Sequence, residues 1–283
     1  MLIAVPLALA LSSSGALAAG FKELKRPSPD WYTQGLEERV ADAGAAGVRV
    51  AEEQLNVDCP GVADRGVSAS GCIVSPAGCS ANNIFTDGAS YYVGTARHCV
   101  DRGAAGGDDT GTPLVMQVDT TTIAEVGTVV QHTSGEGDPG NDFALVKLDP
   151  AVVSKWGVQP ALPVVGGPNG VYTGCNATTV KHYGHGYGAA VAQGYPRAGL
   201  ATNWLNDGYG WTGHLLPGDS GSAVVTGDGR SAGNLTHLVV DFGDYLGSNA
   251  AGTRMTKILA FAGGAISLVN ADGSTARATE TSC

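Results

Sequence analysis

Three short segments contain residues whose types could cooperate in nucleophilic catalysis. His98 lies in the segment TARHC, Asp142 precedes the apolar run FALVKL, and Ser220 lies in GDSG. A serine hydroxyl is a weak nucleophile and must lose its proton to a base as it attacks, which an imidazole can accept. A carboxylate beside the imidazole holds its tautomer and stabilises the imidazolium. The residue types therefore predict acyl transfer, with Ser220 as nucleophile, His98 as base and Asp142 as orienting group.

The glycines around Ser220 have a separate predicted role. Gly218 and Gly221 permit a tight loop that exposes the serine. In such a loop the backbone N–H groups of Gly218 and Ser220 would point at the developing oxyanion, and each donor is worth about 3 kcal/mol. The sequence thus predicts an oxyanion hole built from these two residues.

One alternative for the carboxylate is Asp138, four residues before Asp142. We favour Asp142 because an apolar, strand-like run follows it directly. Alone, GDSG would be a common turn and a single histidine or aspartate would be unremarkable. The three segments together, in this order, favour a site.

The elements that must position these residues are predicted to be short strands. Runs rich in β-branched or aromatic residues alternate with Gly, Asn and Asp clusters, which is typical of a closed β-barrel or sandwich. The segment 86–89, TDGA, predicts a hairpin turn. The predicted strands cover 83–85, 90–93, 121–123, 126–130, 143–148, 178–183, 222–225 and 235–240.

Over about residues 79–258, the sequence resembles the chymotrypsin/trypsin-like serine endopeptidases, which carry the same three motifs in the same order. The resemblance implies an all-β fold of two packed, six-stranded-type antiparallel β-barrels with the site between them. It also implies peptide-bond hydrolysis through an acyl-enzyme, polypeptide substrates and no cofactor. By the same resemblance, Cys99 pairs with Cys79, with Cys72 as the competing partner, and the other cysteine pairings stay open.

The residue before the nucleophile, Asp219, would need a cationic partner because a buried carboxylate without one costs several kcal/mol. The family's animal members neutralise it with an amine released at an I-V-G-G motif, which this sequence lacks. The chain therefore looks closer to the secreted bacterial members. In these a basic side chain takes that place, and Lys181 or His182 is the predicted cation.

The resemblance assigns the substrate pocket to His214, Thr236 and His237. His214 stands where an acidic residue would accept Lys or Arg, so a basic preference is disfavoured. The Thr236 hydroxyl is expected to hydrogen-bond the triad aspartate. Two histidines near one pocket could charge at mildly acidic pH and hold an acidic side chain, and the alternative is an apolar pocket with incidental histidines. Ser222 is interpreted as a turn residue.

Charge and the N-terminal sequence limit location and partners. The net charge of −10 repels phosphate backbones, so nucleic acid is not an expected partner. An apolar run at 2–11 is too short to span a membrane and predicts a signal peptide over 1–19. We therefore expect a secreted monomer without stable membrane association and with oxidised cysteines. The predicted organisation is an extension or pro-segment with a short helix at 20–66, a protease domain at 67–268 and a tail at 269–283.

Three competing hypotheses follow from the same residues. A metal site at His132, His182 and His185 is not expected, because the 182–185 spacing falls on a Gly-rich strand and loop. An inactive, protease-like binding protein is a second hypothesis, since Arg97 could crowd His98. A secreted β-sandwich binding module, in which the motifs coincide by chance, is the third.

Overall fold

The structure is a computed structural model that describes the residues 23–25, 66–75, 78–101, 107–119, 122–135, 137–186, 195–213, 215–216, 218–238, 248–278 and 283. Within these ranges the chain is mostly β, with two barrel-like antiparallel sheets and few helical turns. This is the predicted chymotrypsin-like fold class. No helix in this part of the chain is both long enough and apolar enough to cross a membrane.

The first sheet has ten strands, ordered β18-β17-β5-β6-β9-β8-β7-β3-β4, and β1 pairs with β8. Alternate apolar side chains point into its core, among them Leu114, Val129 and Val146. Two of the predicted site residues follow from this sheet, since β6 leads to His98 and the β8–β9 connection carries Asp142. The strands are β1 (Glu23–Lys25), β3 (Cys72–Ser75), β4 (Cys79–Ser80), β5 (Ile84–Thr86), β6 (Tyr91–Thr95), β7 (Pro113–Gln117), β8 (Thr122–His132), β9 (Ala144–Leu148), β17 (Ser267–Val269) and β18 (Thr275–Ala276).

The second sheet has six strands, ordered β15-β14-β11-β12-β13-β16. An antiparallel bridge between Gly233 and Arg254 joins its two ends. Its core contains stacked rings, with Tyr209 lying 4.9 Å from Trp204 and 5.2 Å from Trp211 between ring centroids. The strands are β11 (Thr178–Gly184), β12 (Tyr195–Trp204), β13 (Gly208–Gly213), β14 (Ala223–Thr226), β15 (Ser231–Asn234) and β16 (Ala250–Thr253). The loop between β13 and β14 carries Ser220.

The remaining elements connect or flank the sheets. Two short strands, β2 (Val67–Ser68) and β10 (Val158–Gln159), form a parallel pair. Helix α1 (Pro150–Trp156) begins after Asp149, whose carboxylate accepts a hydrogen bond from Ala151 N. Helix α2 (Met255–Phe261) follows β16 and buries Ile258 and Leu259. Two 3₁₀ turns, Arg97–Cys99 and Pro139–Asn141, lie at the site.

The strand predictions are largely confirmed. The two runs at 121–123 and 126–130 form one continuous strand, β8, and the 86–89 hairpin is present, with Asp87 accepting hydrogen bonds from Ala89 N and Ser90 N. The prediction at 235–240 was wrong over its described part, because pairing with β14 ends at Asn234 and His237 makes only an isolated bridge to Ala251.

The structure describes each end of the chain in part. The predicted helical segment within 20–66 lies outside the described residues, apart from β1 and Gly66. At the other end, β17 pairs with β5 and β18 pairs with β17. Part of the predicted 269–283 tail therefore belongs to the first sheet, and Cys283 is bonded to Cys175.

Candidate active site

The structure places His98 and Asp142 in direct contact. His98 Nδ1 lies 2.7 Å from Asp142 Oδ2, and His98 N donates to Asp142 Oδ1 at 3.0 Å. The carboxylate is fully buried, whereas the His98 side chain is 41% exposed. The buried carboxylate therefore fixes both the ring and the backbone of His98, and leaves the other ring nitrogen for a partner on the open side.

The backbone of Asp142 is held from the second sheet. Asp142 N donates to Thr253 Oγ1 at 3.2 Å, and Asn234 Nδ2 donates to Asp142 O at 3.2 Å. Asp138, the alternative carboxylate, instead caps the preceding 3₁₀ turn by accepting from Gly140 N at 2.9 Å. Of the two candidates, Asp142 is the one that contacts His98.

The Ser220 loop lies against the end of β4 and the segment before His98. Ser220 O accepts a hydrogen bond from Ser80 N at 2.8 Å. Gly221 has φ +89°, and a Cβ there would lie 2.0 Å from Ser80 O and 2.4 Å from Thr95 Oγ1. Only glycine fits this approach, which brings Ser220 to the strand end that leads into His98. Ser220 Oγ makes no hydrogen bond to the His98 ring or to any other described residue.

The predicted oxyanion donors lie in the same loop. Gly218 has φ +93°, and Asp219 N and Ser222 N are bonded inside the loop to Leu216 O and Asp219 O. By contrast, neither Gly218 N nor Ser220 N donates to a residue within the described ranges.

The disulfide between Cys79 and Cys99 confirms the predicted pairing, with an S–S distance of 2.07 Å. It joins β4 to the 3₁₀ turn of His98. The competing partner, Cys72, is disulfide-bonded elsewhere. A further bond links Cys175 to Cys283.

The predicted need for a cation at Asp219 is confirmed, but the predicted residue was wrong. Arg197 Nη1 lies 2.6 Å from Asp219 Oδ1, and both side chains are buried. Asp219 also accepts from Gly186 N at 2.9 Å and Leu216 N at 2.8 Å. Charge-assisted bonds of this kind offset the desolvation of both ions.

Neither predicted cation reaches Asp219. His182 Nδ1 contacts Ser222 Oγ at 3.3 Å. Lys181 is the preceding residue on the same strand, so its side chain points to the opposite face of the sheet. His182 and Arg197 are register partners on β11 and β12, so their side chains share one face of the sheet. Of the two predicted cations, His182 lies on the correct face of the sheet but on the wrong strand, and Lys181 lies on the opposite face. The pairing register that brings Arg197 to this face is not visible in the sequence.

The predicted pocket residues have different outcomes. His214 lies outside the described residues. Thr236 Oγ1 donates to Pro139 O at 3.3 Å or Ala251 O at 3.2 Å, so the expected bond to Asp142 was wrong. The hydroxyl that contacts Asp142 belongs to Thr253 and binds its backbone. Thr253 carried no motif that could have identified it.

His237 lies beside the His98–Asp142 pair. Its Nδ1 is 3.7 Å from Asp142 Oδ2, and its ring centroid is 6.0 Å from that of His98. Burial lowers the pKa of His237 below its usual 6.5; the His98 charge acts in the same direction, while Asp142 opposes it. Sequence analysis assigned His237 to the pocket, and the structure adds its proximity to the Asp142 carboxylate.

Arg97 is directed away from the site. Its buried guanidinium contacts Asp109 at 2.6 Å and Asp101 at 3.5 Å, and its Nε donates to His132 Nδ1 at 3.0 Å. The suggestion that Arg97 crowds the His98 ring was therefore wrong.

The described ranges contain one group of metal-type side chains whose ligand atoms lie close together, Cys79, His98 and Cys99. Two of its three donors are joined in the disulfide, so this group is not suited to hold an ion.

No protein-family model matches the sequence, and no curated protein matches it. The fold is similar to those of several solved serine protease structures. Protease A of Thermobifida fusca is 20% identical, with 67% of this chain and 90% of that chain covered and a TM-score of 0.42. A glutamic acid specific serine protease, described as utilizing a novel histidine triad in substrate binding, is 21% identical, with 70% and 98% covered and a TM-score of 0.44. An alpha-lytic protease homolog, N4, is 16% identical, with 70% and 97% covered and a TM-score of 0.42. These likenesses concern the fold alone.

Proposed function

We propose that the protein is a secreted serine endopeptidase with His98, Asp142 and Ser220 as its catalytic triad. The observation that carries the proposal is the buried Asp142 carboxylate, which bonds both the ring and the backbone of His98. Burying a carboxylate completely is energetically costly, and this one orients an imidazole that is partly exposed to solvent. Such an arrangement is typical of a functional site. The serine loop lies against the strand end that leads into the same histidine.

The reaction begins with proton transfer. His98 takes the hydroxyl proton as Ser220 Oγ attacks the carbonyl carbon of the substrate's peptide bond, and Asp142 stabilises the imidazolium without being protonated. The imidazolium then protonates the leaving amine as the carbon–nitrogen bond breaks, which leaves an acyl-enzyme. Water, deprotonated by His98, attacks the ester carbon, and the proton returns to Ser220 Oγ as the product acid departs.

The oxyanion of each tetrahedral intermediate is assigned to the N–H groups of Gly218 and Ser220. Their lack of hydrogen bonds to described residues supports this role, because a donor already bonded within the protein could not serve a developing charge without reorganisation. The Arg197–Asp219 ion pair joins this loop to β12. Because Arg197 belongs to the folded chain, this charge balance requires no newly released N-terminal amine.

A secreted location is supported by the oxidised state of the cysteines in the described part. Polypeptides are the proposed substrates, a monomer is the proposed state, and no cofactor takes part. The side chain preferred before the cleaved bond remains a prediction: an acidic one if His237 and His214 act together, an apolar one otherwise. Cleavage-site profiling on a peptide library distinguishes these, and a Lys or Arg preference would contradict both.

The direct test is labelling with a fluorophosphonate, followed by mass spectrometry and a peptide hydrolysis assay. The proposal predicts one adduct on Ser220 and loss of both labelling and hydrolysis in Ser220→Ala. Ser222→Ala is the matched control, because that hydroxyl lies in the same loop but contacts His182, and it should still be labelled. Folded protein without an adduct would support the inactive binding protein instead.

A further inference from the structure

Ser80 is a buried residue outside the triad that bonds the nucleophile loop twice. It ends β4, directly after the disulfide-bonded Cys79. Its backbone N donates to Ser220 O at 2.8 Å, and its hydroxyl donates to Gly218 O at 3.0 Å. One residue of the first sheet therefore holds the carbonyls of both residues whose N–H groups are assigned to the oxyanion hole.

These two bonds restrict the peptide planes around the donors. The Gly218 carbonyl belongs to the plane shared with Asp219, and the Ser220 carbonyl to the plane shared with Gly221. The plane between them carries Ser220 N–H, and its carbonyl, Asp219 O, accepts from Ser222 N at 2.9 Å. All three planes are thus held through their carbonyl oxygens. The middle plane carries Ser220 N–H, and Gly218 N–H lies in the preceding plane, adjacent to the one that the Ser80 hydroxyl holds. Rotation of any one plane would break a bond to a buried group, which costs about 1–3 kcal/mol.

The Ser80 hydroxyl is itself held from the second sheet. Its oxygen accepts from His185 N at 2.9 Å, just beyond the end of β11. The next residue, Gly186, donates its N–H to the Asp219 carboxylate at 2.9 Å. The hydroxyl therefore uses one donor and one acceptor function, and its proton is directed at Gly218 O. Through this geometry Ser80 connects the disulfide, the β11 end and the nucleophile loop.

We propose that Ser80 is a positioning residue for the oxyanion hole. Its hydroxyl fixes the Gly218–Asp219 peptide, which lies between the two peptides that carry the donors, so that the N–H groups of Gly218 and Ser220 converge on one point. It does not touch the substrate and acts through the loop. The inference rests on the proposed function, because it presumes that these N–H groups stabilise an oxyanion.

The test compares Ser80→Ala with Ser80→Thr, which keeps the hydroxyl. Ser80→Ala should lower kcat on the order of 10-fold or more, with KM changed far less, because small misplacements of preorganised donors are costly in the transition state. Affinity for a peptide aldehyde, which forms a tetrahedral adduct, should fall by the same factor. Ser80→Thr should recover most of the loss.

The matched control is Ser231→Ala. Ser231 is equally buried, and its hydroxyl accepts from Asn83 Nδ2 at 3.3 Å, away from the loop. This variant should lose stability without losing kcat. Free energies of unfolding measured on all variants distinguish a loss of folded protein from a misplacement of the oxyanion donors. If Ser80→Ala does not fold, Ser80→Gly, which also keeps the backbone donor, replaces it.

The outcomes for Ser80 and for the protease proposal are distinguishable. A wild-type protein that labels at Ser220, together with a Ser80→Ala variant of unchanged kcat and aldehyde affinity, overturns the Ser80 role alone. A loss of kcat no larger than the loss of folded protein overturns it as well. A folded wild-type protein that forms no fluorophosphonate adduct overturns both.

Discussion

Asp142 contributes both of its carboxylate oxygens to His98, one to the ring and one to the backbone N–H. The His98–Asp142 pair therefore requires that both carboxylate oxygens of Asp142 accept a hydrogen bond. An amide in place of the carboxylate would present one donor where an acceptor is needed, and would impose the wrong tautomer on the ring.

Asp142→Asn should accordingly reduce kcat/KM by roughly 10⁴-fold with little loss of fold. Asp138→Asn is the control, because asparagine caps a turn as well as aspartate does and activity should persist. Steady-state hydrolysis of a peptide substrate measures both. Equal activities in the two variants would contradict the assignment of Asp142.

His237 links the site to pH-dependent stability. Because burial lowers its pKa in the folded state, the unfolded chain binds the proton more readily. The stability that depends on a neutral His237 is thus fully present above the unfolded-state pKa of about 6.5. It is lost as the pH falls through the lower pKa of the folded state. His237→Gln removes this proton uptake.

We therefore expect wild type to lose more stability than His237→Gln between about pH 7.5 and pH 5. Urea unfolding at several pH values measures the difference. Parallel stability profiles for the two proteins would show that His237 titrates no differently in the folded and unfolded states.

At the scale of elements, the 3₁₀ turn of His98 is anchored by its neighbour Arg97. The guanidinium is buried against Asp109 at 2.6 Å and also donates to Gly107 O at 2.9 Å. Gly135 packs on its stem, where a Cβ would lie 2.4 Å from Arg97 Cγ. The turn is thus fixed on one side by this cation and on the other by the Cys79–Cys99 disulfide.

Removing the negative charge of Asp109 should leave the buried Arg97 guanidinium without its nearest anionic partner. We expect Asp109→Asn to lower the free energy of unfolding by about 3 kcal/mol. Asp108→Asn is the matched control, since Asp108 is exposed and lies 3.4 Å from His132, and its loss should change stability far less. Urea titrations of both variants decide the matter, and similar losses would refute an anchoring role for the pair.

The elements also show how far the sequence could be interpreted. Runs such as 126–130 and 143–148 were identifiable because β-branched and aromatic residues suit a pleated, buried surface. Strands β15 and β16 read SAGN and AAGT, and their small residues carry no such pattern. They form strands because close approaches require small side chains: a Cβ on Gly252 would lie 1.7 Å from Asn234 O. Such a constraint exists only in the folded molecule.

At the scale of the whole molecule, the site depends on contacts between elements distant in sequence. Motifs singled out the proposed triad residues His98, Asp142 and Ser220, because each role requires a specific chemical type in a specific local setting. Arg197, Thr253 and Ser80 carry no motif and act through register and packing. The need for a cation at Asp219 was predictable from electrostatics, but its source on β12 depended on strand pairing.

The Arg197–Asp219 pair gives a prediction at this scale. Arg197→Met should leave a buried carboxylate beside the nucleophile, lower stability by about 3–5 kcal/mol and reduce hydrolysis. Arg230→Met is the control, because its pair with Asp228 is exposed and should contribute under about 1 kcal/mol. Calorimetric unfolding and peptide hydrolysis provide the two measurements. A loss in Arg197→Met no greater than in the control would mean that the pair does not support the loop.

The most direct test of the triad is a crystal structure of the protein after reaction with a fluorophosphonate. We predict a phosphorus bonded to Ser220 Oγ, with His98 Nε2 about 3 Å from that oxygen. The phosphonyl oxygen should lie about 3 Å from Gly218 N and Ser220 N. An unmodified Ser220, or an adduct whose oxygen faces away from both N–H groups with the His98 ring out of reach, would contradict the proposed mechanism.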